Sequence, residues 1–511
     1  MKSFLKNYGI LCFLVLVKFG LQYIVVNPAY ELHRDEFLHL DQAQHLAAGF
    51  QSVPPLSSWI SVIINLLGGD IFWVRFFPAL FGALTIVLAW LIVEKAGGGI
   101  HAKILTATSL IFSTLVRINI LYQPNSLDIL AWTIIYYCFI GYVQSGKGKW
   151  LITAGLIAGI GMLNKYNIVF LFAGLIPALL LTKHRVVFSK RSLYLALAIF
   201  IAIITPNLVW QIANNYPVLH HMKKLEESQL IHINRVDFIL DQLKFFAGSL
   251  VVILFALVAF VRYKPFAELR FIGIAYVFTL TIFCLLRAKS YYAFGLYPVL
   301  IALGSVYLES LLFKGWKRYI IYALVLINIL SFYPVYNVVV PRETPYQISS
   351  HPDKYKALGL LRWEDGKDHQ LPQDFADMLG WREMAEKARL AYLSLPENEM
   401  DQTLIFTDNY GQVGALNYYN RGKTPAAYSF NTDYIFWIPE MPHIMNIILV
   451  GDRPDDRIIK QFESVTQFGK VENQFAREKG TEIWILRHAN SSVTRHIYKM
   501  RTERIKRFDF Y

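Results

Sequence analysis

Cysteine is nearly absent from this chain: of 511 residues only Cys12, Cys138 and Cys284 are cysteine, and each lies inside an apolar run. That pattern supports no disulfide framework, zinc site or thiol nucleophile. Charge is scarce as well, with 17% charged residues against 55% hydrophobic, a balance too apolar for a soluble globular chain of this length. No full GxGxxG is present. Gly411 and Gly414 follow a strand-like run and open a helix-like one, which is only a weak nucleotide signal. The N-terminal stretch MKSFLKNYGILCFLVLVKFGLQYIVV has the basic start and apolar body of a signal peptide but no small-residue cleavage site, so it reads as an uncleaved first membrane helix.

What is present is a series of long apolar runs that stops near residue 340. At about 17 to 25 residues per membrane helix, the runs give about eleven spans. Their approximate limits are 8–27, 72–94, 103–119, 126–143, 150–164, 168–182, 193–212, 244–261, 271–287, 293–312 and 319–339. The formal net charge of +13 does not point to nucleic acid, because outside the last part of the chain most basic residues fall in short loops between apolar runs. Lys2 and Lys6, EKAGGGIHAK, QSGKGK, KHRVVFSKR, VRYKPFAELR and FKGWKR form that basic set, cytoplasmic by the positive-inside rule. An odd number of spans then puts the other loops, and everything after the last span, on the outer side.

The outer loops hold the unusual clusters. Just after the first span comes HRDEFLHLDQAQHLAAG, in which Asp35 and Glu36 are adjacent, Arg34 precedes them, and Asp41 and His45 follow. Ionisable groups at a bilayer boundary are costly to desolvate, so such a cluster is a functional candidate; a solvated loop is the competing account. Phe37, Leu40 and Ala47 recur near helical spacing and predict an interfacial helix beginning near Asp35, where Asp35 would alternatively be an N-cap. VPPLSSW ends that helix and starts another, and residues 213–243 read as a second interfacial segment. Residues 341–511 are mixed and polar and predict a separate α/β domain. Its strand-like runs are TLIFT, IMNIILVG and TEIWILR, its helix-like runs GQVGALNYY and RPDDRIIKQF, and its basic tail from Arg487 reads as a solvated or disordered end.

A one-sided set of carboxylates, cations and tyrosines at a membrane surface suits a lipid-linked substrate. In sugar transfer from a polyprenyl phosphate, the acceptor hydroxyl loses a proton that a positioned carboxylate accepts. The departing lipid phosphate gains charge, which cationic and hydroxyl donors stabilise in the transition state. Lys165, Arg287, Lys289, Tyr291 and Tyr292 are the donors on the outer side. Lys165 and Lys289 as snorkelling anchors, and the tyrosines as an aromatic belt, are the competing accounts. Arg117 and Asp128 flank the turn between the third and fourth spans, where they would bind the acceptor or orient a base; for Asp128 the alternative is a helix-start acid.

These residues resemble the polytopic glycosyltransferases of the protein O-mannosyltransferase and aminoarabinose transferase superfamily, in their bacterial family 39-like branch. The resemblance runs nearly end to end, through HRDEFLHLDQAQHLAAGF with PPLSSW, LYQPNSLDILAWT, GMLNKYNIVF, AKSYYAFGLYPVLIALG, LPQDFADMLGWREM and NYGQVGALNYY. It implies a GT-C fold in the bacterial inner membrane, about eleven transmembrane helices with a C-terminal extracytoplasmic α/β domain. It further implies an inverting, metal-optional transfer from a donor such as undecaprenyl phosphate-linked sugar to a cell-envelope glycolipid, polysaccharide precursor or protein. Under the resemblance Asp35 becomes the general base with Glu36 supporting it, and Lys165, Lys289, Tyr291 and Tyr292 become candidates for the donor phosphate; the residues themselves add Arg287 to that set and Arg34, Asp41, His45, Arg117 and Asp128 as groups that bind the acceptor or shape the site. No metal ligands and no soluble cofactor are implied. The chain departs from its relatives in having Gln51, Ser52 and Val53 before the Pro-Pro, and Asn125 where some carry an acid. A membrane transporter or lipid flippase is the alternative class, but the halves show no internal symmetry and the suspect groups sit at helix ends. A catalytically silent scaffold that binds through its C-terminal domain is the third.

Overall fold

The computed structural model describes residues 2–228, 230–312 and 315–510, so Phe313 and Lys314 of the FKGWKR loop lie outside the described residues. A helix occupies each of the eleven apolar runs. Six helices are long and apolar enough to cross a bilayer by themselves: Ile71–Lys95, Asn125–Ser145, Arg191–Ala213, Lys264–Leu285, Ser290–Leu312 and Gly315–Pro334. Two further pairs of helices are long and apolar enough only together and are bent at the break, Ile168–Leu180 with Lys183–Ser189 at 111° and Arg235–Lys244 with Ala247–Arg262 at 69°. Tyr8–Ile24, Ile100–Ile111 and Lys149–Asn164 are shorter apolar helices. Helices are the natural solution here because a helix satisfies its own backbone groups where no water is available.

The helices divide by what surrounds them. Tyr297–Leu312 is buried without interruption from Tyr297 to Glu309, whereas Arg191–Ala213 buries only Ala196, Ile204, Asn207 and Gln211 and presents the rest outward. The first is a central helix; the second has the all-round apolar, exposed surface of a helix against lipid. Trp90, Trp132, Tyr136 and Tyr297 fill the middle of the bundle.

The third expected span, 103–119, ends early. Its helix stops at Ile111, and Phe112 leaves helical geometry with ψ of 56°. Ser113 Oγ donates to the Leu110 carbonyl, and both the amide and the hydroxyl of Thr114 donate to the Phe245 carbonyl. Hydroxyl side chains that bond nearby backbone carbonyls compete with helix propagation. The break carries Arg117, in the following turn Leu115–Ile118, out to one polar end of the bundle.

The basic loops gather at the other end. His184 meets the Glu268 carbonyl at 2.8 Å and Lys183 pairs with the Glu268 side chain, joining two of them. Lys95 lies over the rings of Tyr137 and Trp150, joining two more.

Beyond the bundle, five strands form one sheet in the order β2-β1-β3-β5-β4, with β1 Thr403–Thr407, β2 Ala427–Tyr428, β3 Asn446–Gly451, β4 Phe462–Lys470 and β5 Glu482–Ala489. β1 pairs in parallel with β2 and β3, while β5 runs antiparallel to β3 and β4. The expected helix over RPDDRIIKQF is only the turn Asp456–Ile459, after which the chain enters β4. The basic tail is no disordered end: Ser492–Arg507 is a helix that buries Val493 and Ile497. Arg501 donates to the Ile435 and Phe436 carbonyls, and Phe508 stacks on His220 at 4.0 Å. Those contacts supply the ordering that a basic composition alone does not reveal.

The sheet layer is tied to the bundle through two helices, Arg34–Gln42 and Tyr410–Tyr419. Gly414 permits their close approach, since a Cβ there would stand 2.8 Å from Phe37 Cβ. Gly411 is similarly confined, its Cβ position lying 3.2 Å from Arg34 Cβ. Both glycines that hinted at a nucleotide loop are therefore packing glycines. Phe37 is fully buried between Trp381, Tyr418 and Tyr419.

Candidate functional site

The helix Arg34–Gln42 starts from a capping box. His33 is the N-cap, its Nδ1 accepting from the Asp35 amide at 3.2 Å, and Glu36 Oε2 accepts from the His33 amide at 2.7 Å. Such reciprocal bonds satisfy donors that a helix start would otherwise leave open. Glu36 also accepts from the Tyr122 amide at 2.7 Å and is fully buried. Both of its oxygens are therefore held by backbone, and its position is that of a clamp between this helix and the loop after the third span. Glu36, expected to support Asp35, is placed beside it in the clamp at the start of the same helix. Asp35 is not the cap.

Asp35 points into a run of polar groups. Oδ1 accepts from the Tyr410 hydroxyl at 2.7 Å and Oδ2 from Gln123 Nε2 at 2.9 Å. Gln123 Oε1 accepts from Asn125 Nδ2 at 3.0 Å, and Asn125 Oδ1 from Lys165 Nζ at 2.7 Å. Lys165 Nζ in turn lies 4.2 Å from the ring centre of Tyr292 and 5.2 Å from that of Tyr291, within cation–π range. Loops following the first, third, fifth and ninth spans thus meet in one connected array with a residue of the C-terminal layer. Although enclosed by protein, Asp35 keeps 35% of its side-chain surface accessible, which leaves room for a substrate hydroxyl.

The electrostatics keep this array charged. Burial would raise the Asp35 carboxyl, but the neighbouring His33 and Arg34 and the Tyr410 hydroxyl outweigh it and hold the group at about 2. Asp35 is therefore a carboxylate throughout the physiological range. The Tyr410 hydroxyl is pushed well up by burial and by the Asp35 charge, so it remains a neutral donor. Burial pushes Lys165 down to about 8, against the pull of Asp128 and with the repulsion of Lys289.

The remaining expected residues fall into three places. Arg34 lies 4.4 Å above the Tyr410 ring and acts on Asp35 directly, whereas Arg117 pairs with Asp374 at 3.1 Å, a carboxylate that feels the Asp35 charge. Asp128 accepts from Trp132 Nε1 at 3.0 Å and from Asn167 Nδ2 at 2.8 Å; Asn167 also donates to the Tyr292 carbonyl. It buttresses the loop that carries Lys165. Lys289 pairs with Glu364 at 3.3 Å. Arg287 turns away, donating to the Ile231 carbonyl at 3.1 Å. Asp41, on another face of the helix Arg34–Gln42, and His45, just past its end, line a separate cavity. Gln123, Asn125, Asp374 and Tyr410 were not singled out as site residues, although each lies within a stretch that carries the family resemblance. Among the described residues, no group of three or more His, Cys, Asp or Glu side chains is placed to hold a metal ion.

A helical membrane bundle whose loops at one end converge beneath a small α/β layer defines the class, the GT-C fold. Crystal structures of ArnT from Cupriavidus metallidurans share it: the undecaprenyl phosphate complex matches with a TM-score of 0.62 at 12% identity, over 94% of this chain and 98% of that one. The apo form matches with 0.63 at 14% identity over the same shares. The family model for dolichyl-phosphate-mannose-protein mannosyltransferase matches residues 52–210. The lipid A galacturonosyltransferase RgtD of Rhizobium johnstonii is 24% identical over 207 residues, 39% of this chain and 42% of that protein. The match thus spans less than half the length of that curated relative.

Proposed function

We propose that the chain is an inner-membrane glycosyltransferase that moves a sugar from a polyprenyl-phosphate donor to a hydroxyl of a cell-envelope glycolipid, polysaccharide precursor or protein. The observation that carries this reading is the hydrogen-bonded run from Asp35 through Gln123 and Asn125 to Lys165, which joins a permanent carboxylate to a cation caged by two tyrosines. In this reading the acceptor hydroxyl binds Asp35 at its accessible face. The hydroxyl oxygen attacks the anomeric carbon, the bond from that carbon to the phosphate oxygen breaks, and the acceptor proton passes to Asp35. The electron pair of the broken bond leaves with the lipid phosphate, and Lys165, with Lys289 and the Tyr291 and Tyr292 hydroxyls, stabilises the added charge. Attack opposite the departing phosphate inverts the anomeric configuration.

Several features support it. Carboxylate and cation are held apart by neutral amides rather than collapsed into an ion pair, so each remains available to a different substrate. The fold is shared with a protein crystallised with undecaprenyl phosphate, and a partial relative is named for transfer of galacturonate to lipid A. The donor half is tested with a photoreactive polyprenyl phosphate in detergent-purified protein. Cross-links should map to the 289–292 segment and fall sharply in Lys165→Ala; labelling confined to the lipid-facing surface of Arg191–Ala213, unchanged in that variant, would remove the assignment.

A further inference from the structure

The helix Arg34–Gln42 has a second functional face. Asp41 lies six residues beyond Asp35, which at about 100° and 1.5 Å per residue places it roughly 9 Å along the axis and about a third of a turn around from Asp35. It fronts a cavity of about 430 Å³ enclosed by this helix, the helix Tyr410–Tyr419 and the 420–437 segment. That volume falls within the range of roughly 300–1,000 Å³ usual for small-molecule sites. None of the residues that connect Asp35 to Lys165 lines it.

The lining has a particular chemistry. His45 and Trp437 stack face to face, with centroids 4.0 Å apart and planes 10° apart, and form an aromatic wall. Opposite in character is Asp41, one of whose oxygens accepts from Asn417 Nδ2 at 2.6 Å. Asp41 makes no ion pair among the described residues and has the Tyr434 hydroxyl beside it as a second donor, so it fronts the cavity as a hydrogen-bond acceptor held from two sides. Arg421, at the rim, is drawn toward Asn65 Oδ1 at 3.4 Å. The rim is itself fixed, because the buried Asp433 accepts from Gln42 Nε2 at 3.0 Å and from the Gln51 amide at 2.8 Å. A flat apolar wall beside a fixed carboxylate and amides matches a sugar ring, which has an apolar face of C–H groups and an edge of hydroxyl donors. A carboxylate acceptor also disfavours an anionic sugar. Leu46, next to His45, and Leu66, next to Asn65, are strongly exposed.

We propose that this cavity is a saccharide subsite, which takes an uncharged sugar unit of a membrane-anchored acceptor at a distance from the hydroxyl that reacts. The acceptor assignment rests on the glycosyltransferase reading; saccharide binding itself does not. The experiment is saturation-transfer difference NMR on the full chain in detergent micelles, with methyl β-galactoside and methyl α-glucoside as probes and galacturonate as the charged comparison. Ring protons of a methyl glycoside should receive saturation in the wild type and equally in Asp35→Asn. Asp41→Asn, close in shape to the native residue, should weaken binding by about ten- to a hundredfold, the loss expected for hydrogen bonds to a charged group. Trp437→Ala should abolish it, and galacturonate should bind more weakly than either glycoside. No saturation in the wild type, equal signals in Asp41→Asn, or galacturonate binding as well as the glycosides would each overturn the proposal. Because binding is read without transfer, failure of the catalytic reading at Asp35 and failure of the subsite are separate results.

Discussion

At the scale of single residues, the site is governed by how each charge is held. Asp35 is kept ionised by His33, Arg34 and Tyr410 against burial, which by itself raises its titration. Lys165 is the opposite case. It is a cation whose charge burial has made easy to lose, with its titration brought down to about 8. Below that value it is protonated and, in the proposed reading, attracts the donor phosphate; as pH rises through it the charge is lost and on that reading donor affinity falls. The KM for a polyprenyl-phosphate sugar, measured from about pH 6.5 to about 9.5, should therefore be flat below about pH 8 and rise about tenfold per pH unit well above it, one proton being lost. Lys165→Arg, which stays charged throughout, should abolish the rise even if its baseline KM is higher.

At the scale of elements, the site depends on two helices from distant parts of the chain lying against each other. Gly414 sits where a Cβ would press on Phe37 at 2.8 Å, and Phe37 is boxed in by Trp381, Tyr418 and Tyr419. Gly414→Ala should cost about 1–3 kcal/mol as an overpacked interface, read as a lower melting temperature of the purified protein; an unchanged or raised value would show that the helices can part freely. Much at this scale is legible in the sequence. Apolar length locates the helices because burying a backbone in lipid leaves few alternatives, and the polar run with the Pro-Pro turn marks the two short helices Arg34–Gln42 and Leu56–Leu66. The break after Ile111 was hidden because a serine and a threonine bond backbone carbonyls inside an otherwise apolar stretch. Strand β4 was hidden because it is an edge strand with most of its residues exposed, so it lacks apolar alternation. The bond between Tyr410 and Asp35 joins positions 375 apart, and no local pattern announces a contact of that kind.

At the scale of the whole molecule, the organising feature is sidedness. Asp35, Arg117 and Lys289 each touch the C-terminal layer, through Tyr410, Asp374 and Glu364 respectively. Four of the basic loops contact one another in two pairs at the opposite end. With the basic end cytoplasmic by the positive-inside rule, Arg495→Cys on the exposed face of the last helix should react with a membrane-impermeant maleimide added to intact spheroplasts. Lys147→Cys in the QSGKGK loop should react only after permeabilisation. The reverse pattern would place the candidate site on the cytoplasmic face.

The central claim is that Asp35 takes the acceptor proton in a sugar transfer from a polyprenyl phosphate. Its most direct test is release of polyprenyl phosphate by the full chain in proteoliposomes given a polyprenyl-phosphate sugar and envelope glycolipids, wild type against Asp35→Asn. The wild type should release lipid phosphate only when acceptor is present. Asp35→Asn should insert normally and still bind the photoreactive donor, yet lose about two to four orders of magnitude in rate, the usual contribution of a positioned base. Release by Asp35→Asn at the wild-type rate would contradict the account.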